Sequence, residues 1–218
     1  MYTLAMLGQK GGTGKTTVAT ALAVCAARAG LSVGLIDLDP QGSAAKWAKR
    51  RTAATPVVRA RQVFELPETL ALLRQGGANL AIIDTPGKIE GAAIAASRAA
   101  DLALIPVRPS ALDLDVLQEV RDLLTVYGNP ATYVVLNAVP VHGRHHEEAR
   151  TVIVQRYGLP VLSAHLCQRV AYAAAMISGQ TASEYEPHGK AAQEIDALYA
   201  LLCSVSQPLN MKNAYEQT

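Results

Sequence analysis

Residues 8–17 have the sequence Gly8-Gln9-Lys10-Gly11-Gly12-Thr13-Gly14-Lys15-Thr16-Thr17. This stretch follows a short apolar run, Thr3–Leu7, and leads into an Ala-rich run, Thr16–Ala29. Glycines let backbone N–H groups approach an anion closely, and the N-terminus of a helix favours negative charge. The order of strand, glycine loop and helix therefore predicts a phosphate-binding loop, and a simple glycine turn is the alternative.

The loop matches the pattern G-x-x-x-x-G-K-[ST], except that Gln9 stands at the position of its first glycine. An additional lysine, Lys10, follows Gln9. In this pattern the lysine before the hydroxyl residue, here Lys15, bridges the outer phosphates, and the Thr16 hydroxyl binds magnesium. We expect the nucleotide to contact Gly11, Gly12, Thr13, Gly14, Lys15, Thr16 and Thr17.

Short apolar runs alternate with helical patterns along the rest of the chain. The strands are expected at Thr3–Leu7, Ser32–Ile36, Val57–Val63, Leu80–Ile83, Leu102–Pro106, Thr132–Leu136 and Pro160–Ser163. The helices are expected at Thr16–Ala29, Ala44–Thr52, Pro67–Gln75, Ala92–Ala100, Leu112–Tyr127, Glu147–Tyr157, Val170–Ile177 and Ala191–Val205. This alternation predicts an α/β fold in three layers, a mostly parallel sheet with helices on both faces. We expect a single domain over residues 1–206 and a polar tail over 207–218.

Composition excludes several classes of protein. The 218 residues are 50% hydrophobic with a net charge of +2, which is far from the strongly basic balance of a dedicated nucleic-acid domain. Three cysteines without a CxxC pair argue against a disulfide framework or a zinc site and favour a reducing cytoplasm. No run approaches the ~20 apolar residues that span a bilayer. The cluster of His142, His145 and His146 is interpreted as a solvated loop that enters a helix rather than as a metal site.

Polar residues stand where three predicted strands end. Asp37 and Asp39 follow the second strand. Asp84 comes directly after the strand Leu80–Ile83, and Asn137 comes directly after the strand Thr132–Leu136. In parallel sheets ligands bind at the carboxyl ends of the strands. Acids beside bound phosphates can hold magnesium or position an attacking water. A local turn is the alternative for the Asp37–Asp39 segment and for Asn137.

The segment Lys10–Thr17 resembles the deviant Walker A box of the ParA/MinD ATPases. In that family the early lysine, here Lys10, reaches across a dimer interface to the phosphates of the partner's ATP. The resemblance implies a P-loop NTPase fold, an ATP hydrolase with ATP/ADP and Mg²⁺ as cofactors, and a homodimer that forms on ATP. Lys10 and Lys15 would then neutralise the phosphate charge that develops during hydrolysis.

Two further segments resemble boxes of the same family. Leu35–Gly42 is similar to its second box, which implies that Asp39 orients the hydrolytic water and that Asp37 supports the magnesium. Leu80–Gly87 resembles a Walker B strand, in which Asp84 binds magnesium and the loop Thr85-Pro86-Gly87 senses the terminal phosphate. Asn137 matches the asparagine that contacts the base in many members.

The chain starts directly at its first strand, as in the short partition ATPases. That resemblance implies nonspecific DNA binding by the ATP dimer, nucleoid association, a ParB-like partner, and segregation of a plasmid, chromosome or similar cargo. Candidate DNA contacts are Arg150, Arg156 and Arg169, together with Arg144 and a separate basic group at Lys46, Lys49, Arg50 and Arg51. Solvated helix faces are the alternative interpretation of these residues.

Three alternatives remain open from sequence: a membrane-associated MinD-like positioning ATPase, an accessory ATPase of the same fold without DNA binding, and a scaffold without turnover. The helix Ala191–Val205 contains Glu194 and Asp196 and has no basic face. Because membrane-surface helices place Lys and Arg beside their apolar face, we expect no membrane binding.

Overall fold

The computed structural model describes residues 1–88, 90–128 and 130–206. Its seven strands form one sheet in the order β3-β2-β4-β1-β5-β6-β7, and every pair of neighbours is parallel. The strands are β1 Tyr2–Met6, β2 Val33–Asp37, β3 Val57–Ala60, β4 Leu80–Asp84, β5 Leu102–Val107, β6 Ala131–Val139 and β7 Val161–Cys167. The predicted parallel sheet is confirmed, and β1, which leads into the glycine loop, lies at its centre.

Ten α-helical segments surround the sheet in the described residues. They are α1 Lys15–Arg28, α2 Ser43–Arg50, α3 Leu66–Gln75, α4 Glu90–Ala99, α5 Ala111–Leu114, α6 Leu117–Tyr127, α7 His145–Val152, α8 Val170–Ile177, α9 Ala182–Tyr185 and α10 Lys190–Val205. A 3₁₀ turn, Val63–Glu65, precedes α3, and a π-helical turn, Ile153–Tyr157, continues α7.

The side chains of successive residues in each central strand point alternately into two hydrophobic cores, one on each face of the sheet. In β4, Ala81 and Ile83 pack with residues of α4, α6 and α7 on one face, whereas Leu80 and Ile82 pack with α1 and α10 on the other. This follows from the alternation of side chains along a strand. The β4 strand is apolar up to its final Asp84 because both of its faces are covered, as in other parallel sheets. The three-layer architecture is therefore confirmed.

Several predicted elements have different bounds. The continuous helix expected over Leu112–Tyr127 is wrong: α5 and α6 are separate, because Asp113 of α5 is tied to Ser110 and to the glycine loop. The strand expected over Val57–Val63 ends at Ala60. The backbone N–H of Gln62 donates to Glu65 Oε2 at 2.6 Å and fixes a 3₁₀ turn instead.

The last helix, α10, buries its apolar face in the core. Ile195, Leu198 and Leu202 pack with α1 and the sheet. Among the described residues, no helix is long and apolar enough to cross a membrane. The predicted tail 207–218 lies outside the described residues, so the domain division remains a prediction.

Candidate nucleotide-binding site

The glycine loop joins the central strand β1 to α1 and leaves the first turn of that helix uncapped. Gly14 is the N-cap residue of α1, has a left-handed backbone with φ 94°, and provides no side-chain cap. Gly12 is also left-handed, with φ 77°. Because the first N–H groups of a helix have no intrahelical partners, this end of α1 can donate hydrogen bonds to an anion.

Gly14 has a second constraint besides its backbone angle. A Cβ atom at this position would lie 2.1 Å from Nδ2 of Asn137. The same Nδ2 donates a hydrogen bond to the Thr13 carbonyl at 2.7 Å. Asn137, in the carboxyl-end half of β6, therefore supports the glycine loop directly, a contact that sequence reasoning did not predict.

Lys15 is buried on the inner side of the loop, with 6% of its surface exposed. Its Nζ donates to the carbonyl of Lys10 at 3.0 Å. Burial lowers the pKa of Lys15, and the carboxylates of Asp84 and Asp39 oppose that shift. The ammonium thus lies within its own loop, where it can meet phosphate oxygens.

Thr16 and Asp84 meet at the start of α1. The Thr16 hydroxyl donates to Asp84 Oδ2 at 2.7 Å. Asp84 is fully buried, and its Oδ1 has no hydrogen-bond partner among the described residues. Burial raises the pKa of Asp84 to about 7, although the hydrogen bond from Thr16 lowers it. A buried carboxylate oxygen without a partner, beside a hydroxyl, is the oxygen-rich environment that Mg²⁺ prefers.

The two acids after β2 differ in their surroundings. Asp37 is 1% exposed, and its two oxygens accept backbone N–H bonds from Asp39 at 3.1 Å and from Ala45 at 2.9 Å. Burial raises the pKa of Asp37, and these backbone hydrogen bonds oppose the shift. Asp39 is less buried and accepts a backbone hydrogen bond from Gln41 at 2.9 Å. Asp37 therefore holds the loop that presents Asp39.

Lys10 turns away from Lys15 toward the segment after β5. Its Nζ lies 2.6 Å from Oδ1 of Asp113, and the lysine side chain is 40% exposed. The Ser110 hydroxyl donates to Asp113 Oδ2 at 2.6 Å, and Arg108 donates to the carbonyl of Gly12. Burial alone would raise the pKa of Asp113, but hydrogen bonds from Lys10 and Ser110 hold it below its usual range. No role for Arg108 or Asp113 was predicted from sequence.

The loop after β4 packs directly on the glycine loop. A Cβ on Gly87 would lie 2.7 Å from the backbone N of Gly11, so this close approach requires glycine. The Thr85 hydroxyl is buried and donates to the carbonyl of Met6 at 2.6 Å. The contact of Gly87 with the Lys10-Gly11 backbone links α4, which follows this loop, to the candidate site.

A cavity of about 370 Å³ opens beside Gly12, Gly14 and Thr17 of the glycine loop. Asn137, Ala138, Gln168 and Tyr172 are among its other lining residues. Ala138 has a positive φ of 50°, a conformation that is uncommon for a residue with a side chain and concentrates at functional sites. The cavity is in the size range of small-molecule sites and borders the phosphate loop, so it can receive a nucleoside.

The three candidate DNA contacts have different environments. Arg169 donates twice to Glu194 Oε1, at 2.8 and 2.6 Å, and lines the 370 Å³ cavity. Arg150 donates to the carbonyl of Val161 at 2.9 Å and so helps to hold β7. Arg156 is 67% exposed and lies 3.7 Å from Asp115. Of the three, Arg156 presents most of its side chain to solvent.

Of the three clustered histidines, His142 lies in the loop before α7, whereas His145 and His146 lie in the first turn of α7. His146 stacks on His165 with ring centroids 4.6 Å apart. In residues 1–88, 90–128 and 130–206, no group of three or more His, Cys, Asp or Glu side chains is arranged to hold a metal ion. Cys25, Cys167 and Cys203 form no disulfide bond with one another.

A parallel sheet whose central strand delivers a lysine-containing glycine loop to a helix N-terminus defines a P-loop nucleotide-binding protein. The chain belongs to the CobQ/CobB/MinD/ParA nucleotide-binding domain family, whose model, CbiA, matches residues 4–182. It is thus a ParA/MinD-family ATPase, as its Walker A segment implies.

The proteins that this chain resembles carry several different names. It is 37% identical over 200 residues to the maintenance of carboxysome distribution protein A of Gloeobacter kilaueensis, covering 90% of this chain and 89% of the relative. It is 27% identical over 219 residues to protein ParA of Rhizobium radiobacter, covering 96% and 98%. The fold is also similar to that of the septum site-determining protein MinD of Pyrococcus horikoshii complexed with Mg-ADP. That comparison has a TM-score of 0.74 and 21% identity over 98% of this chain and 99% of the other.

Proposed function

We propose that this protein is a ParA-like ATPase that closes as a homodimer on Mg²⁺–ATP, binds DNA without sequence preference and positions a cargo. A partner protein would stimulate its slow hydrolysis and release it from DNA. The observation that carries the proposal is the separation of the two lysines of the loop. Lys15 is buried within its own phosphate loop, whereas Lys10 is half-exposed, turned outward and held by Asp113. A second lysine that its own loop does not use is available to a second subunit.

The residues of the site have separate roles in this mechanism. Thr16 and Asp84 would hold Mg²⁺, which supplies charge neutralisation on the outer phosphates when it is bound. Lys15 and the N–H groups at the start of α1 bind phosphate oxygens. Asp39 accepts a hydrogen bond from the attacking water and orients it toward the terminal phosphorus. Asp37 acts as a positioning residue, because it holds the Asp39 backbone.

The nucleoside would occupy the cavity beside the glycine loop. Asn137 donates one Nδ2–H to the Thr13 carbonyl, so its Oδ1 acceptor and its second Nδ2–H remain for hydrogen bonds with the base. Gln168 and Tyr172 border the same space. We therefore assign Asn137 two tasks, loop support and contact with the base.

The proposed DNA surface is formed by exposed cations of both subunits. The Arg156 side chain is 67% exposed and Lys49 on α2 is also exposed, whereas Arg169 and Arg150 are engaged within the fold. Pooling such residues across a dimer strengthens binding to phosphates because each contact releases counterions. We expect Arg156 to contribute more to DNA binding than Arg150 or Arg169.

The names of the relatives favour a particular class of cargo. The more similar of the two relatives compared above by sequence is named for carboxysome distribution, and the less similar one is named ParA. We infer that the cargo is a large protein assembly rather than a plasmid or chromosome. Membrane positioning has no support from α10, since its apolar face lies in the core.

The decisive experiment measures binding to random-sequence duplex DNA by fluorescence anisotropy, with ADP or with a slowly hydrolysed ATP analogue, over a series of salt concentrations. We expect binding only with the ATP analogue and a steep loss of affinity with salt. Lys10→Ala should still bind nucleotide but should neither dimerise nor bind DNA. Lys190→Ala, which removes a lysine at the start of α10, is the matched control and should behave as wild type.

The outcomes separate the parts of the proposal. If the wild type dimerises on ATP without binding DNA, the DNA step is wrong and the accessory-ATPase alternative gains support. If Lys10→Ala dimerises and hydrolyses ATP as the wild type does, the role of Lys10 across the interface is wrong.

A further inference from the structure

Phe64 is the single phenylalanine of the chain, and 83% of it is exposed. It belongs to the 3₁₀ turn Val63–Glu65 and borders a cavity of about 480 Å³ between that turn, α3 and α4. Leu70 and Ala95 lie in the apolar wall of this cavity, and Arg74 and Arg98 are also among its lining residues. We call this cavity the α3–α4 groove.

The turn that presents Phe64 is fixed by its neighbours. Glu65 accepts the backbone N–H of Gln62 at 2.6 Å, and its carbonyl accepts the hydroxyl of Thr69 at 2.8 Å. The next residue, Leu66, is 2% exposed and anchors the turn in the core. The phenyl ring is thus held outward by an ordered backbone, although burying it would gain about 1.5–3 kcal/mol. Exposed apolar patches beside a concave surface mark interaction sites.

The charge of the groove is positive. Arg98 donates through Nε to the carbonyl of Tyr127 at 3.2 Å, which leaves both terminal nitrogens of its guanidinium available. In the described part of the chain, neither Arg74 nor Arg98 forms an ion pair with a carboxylate. The described residues that line the groove include no acid. A segment that complements both the apolar surface and the positive charge of the groove carries apolar side chains and carboxylates.

We propose that the α3–α4 groove docks an acidic, apolar segment of a partner protein, with its carboxylates on Arg74 and Arg98 and an apolar side chain against Phe64. DNA fits the groove less well, because a phosphate backbone on the two arginines would leave the exposed ring of Phe64 uncovered. The groove shares no lining residue with the cavity beside the glycine loop, so it is a separate surface. One of its walls, α4, follows the loop that packs on Lys10-Gly11, which places the docked segment next to a helix connected to the nucleotide site.

The test is a selection of random peptides displayed on phage against the immobilised full chain without nucleotide. We expect the enriched peptides to combine Asp or Glu with Leu, Ile or Phe. Their synthetic copies should bind the wild type in fluorescence anisotropy. Phe64→Ser, and separately the pair Arg74→Glu with Arg98→Glu, should each weaken that binding about tenfold or more.

Ile177→Ser removes another exposed apolar side chain, on α8 and outside the groove, and is the matched control. It should leave peptide affinity unchanged, and circular dichroism should verify that all variants are folded. The proposal is overturned if no peptide is enriched, if the enriched peptides are basic, or if their affinity is the same in the groove variants. It is also overturned if these variants weaken binding to random duplex DNA but not to peptide. Because the selection uses the nucleotide-free protein, its result does not depend on whether the chain dimerises on ATP.

Discussion

Lys10 Nζ and Asp113 Oδ1 lie 2.6 Å apart, so the outward lysine of the glycine loop is paired within its own chain. The side chain of Asp113 is 8% exposed and is itself fixed by the hydroxyl of Ser110. In the proposed dimer, Lys10 would have to leave Asp113 to reach the phosphates of the other subunit. The ion pair therefore competes with closure of the dimer.

Asp113→Asn should favour the dimer, because it removes the charge that holds Lys10. An ion pair of this kind contributes about 0.5–1.5 kcal/mol, which corresponds to a decrease of roughly 2- to 12-fold in the ATP concentration at half-maximal dimerisation. Light scattering during an ATP titration measures this concentration.

Asp115→Asn controls for the loss of an acid in the same segment. The side chain of Asp115 is 59% exposed and lies 3.7 Å from Arg156, and it takes no part in the pair of Lys10 with Asp113. The ATP concentration at half-maximal dimerisation of this variant should equal that of the wild type. If Asp113→Asn dimerises at the same ATP concentration as the wild type, or at a higher one, the ion pair of Lys10 with Asp113 does not oppose dimerisation.

Asp39→Ala should retain nucleotide binding and lose hydrolysis. Asp39 is less buried than Asp37, and its side chain accepts a hydrogen bond only from Gln41 among the described backbone groups, so its removal disturbs the loop little. Loss of a residue that positions water costs about 10²- to 10⁴-fold in rate. Single-turnover hydrolysis measures the rate and a fluorescent ATP analogue measures binding. A rate within a few-fold of the wild type would exclude Asp39 from this role.

The parts of the site that the sequence predicts are those determined by local pattern. An apolar strand that ends in Asp84, or a glycine loop before α1, brings its residues to the edge of the sheet through the strand itself. The close approach of Thr16 and Asp84 follows from this, because β1 and β4 are paired neighbours. The parallel arrangement of the sheet and the positions of Thr16 and Asp84 could therefore be predicted without the structure.

The contacts missing from the sequence analysis join residues that are distant along the chain. The pair of Lys10 with Asp113 and the hydrogen bond from Asn137 to Thr13 depend on the order of β1, β5 and β6 in the sheet. No local pattern encodes that order. The break between α5 and α6 was missed for a similar reason, because the contacts of Asp113 lie outside the helix pattern.

Gly14→Ala should abolish tight nucleotide binding. The new Cβ would meet Nδ2 of Asn137 at 2.1 Å, and the backbone φ of 94° is unfavourable for alanine. Relief of the clash displaces Asn137 from Thr13 and shifts the loop. We expect the affinity for ADP, measured by calorimetry, to fall about tenfold or more.

Gly30→Ala is the control that distinguishes the effect of backbone strain from the effect of the steric clash in Gly14→Ala. Gly30 has a similar φ of 87°, but a Cβ added there would have open space within 4 Å. This variant should lose about 1 kcal/mol of stability and keep its affinity for ADP. Wild-type affinity in Gly14→Ala would show that the contact with Asn137 does not shape the site.

Glu184→Gln should destabilise the fold in a pH-dependent way. Both oxygens of Glu184 accept hydrogen bonds from Arg51 at 2.8 Å, and Oε2 also accepts the backbone N–H of Thr181. Burial raises the pKa of Glu184, but these hydrogen bonds outweigh it, and the net pKa lies below the ordinary value of 4.5. At neutral pH the loss of charge-assisted hydrogen bonds should cost about 1–3 kcal/mol of the free energy of unfolding.

The sign of the pH dependence follows from the lowered pKa. A carboxyl group with a lower pKa in the folded state stabilises the protein above its unfolded pKa, and this contribution is lost as the pH falls through the folded pKa. The difference in unfolding free energy between wild type and Glu184→Gln should therefore be constant above about pH 6 and shrink below about pH 4.5. Urea denaturation over this range measures it, with Glu119→Gln on the exposed face of α6 as the control. If the difference in unfolding free energy stays constant into the acid range, Glu184 stabilises the fold through packing rather than through its charge. The stabilisation that comes from the charge is lost when the carboxylate is protonated.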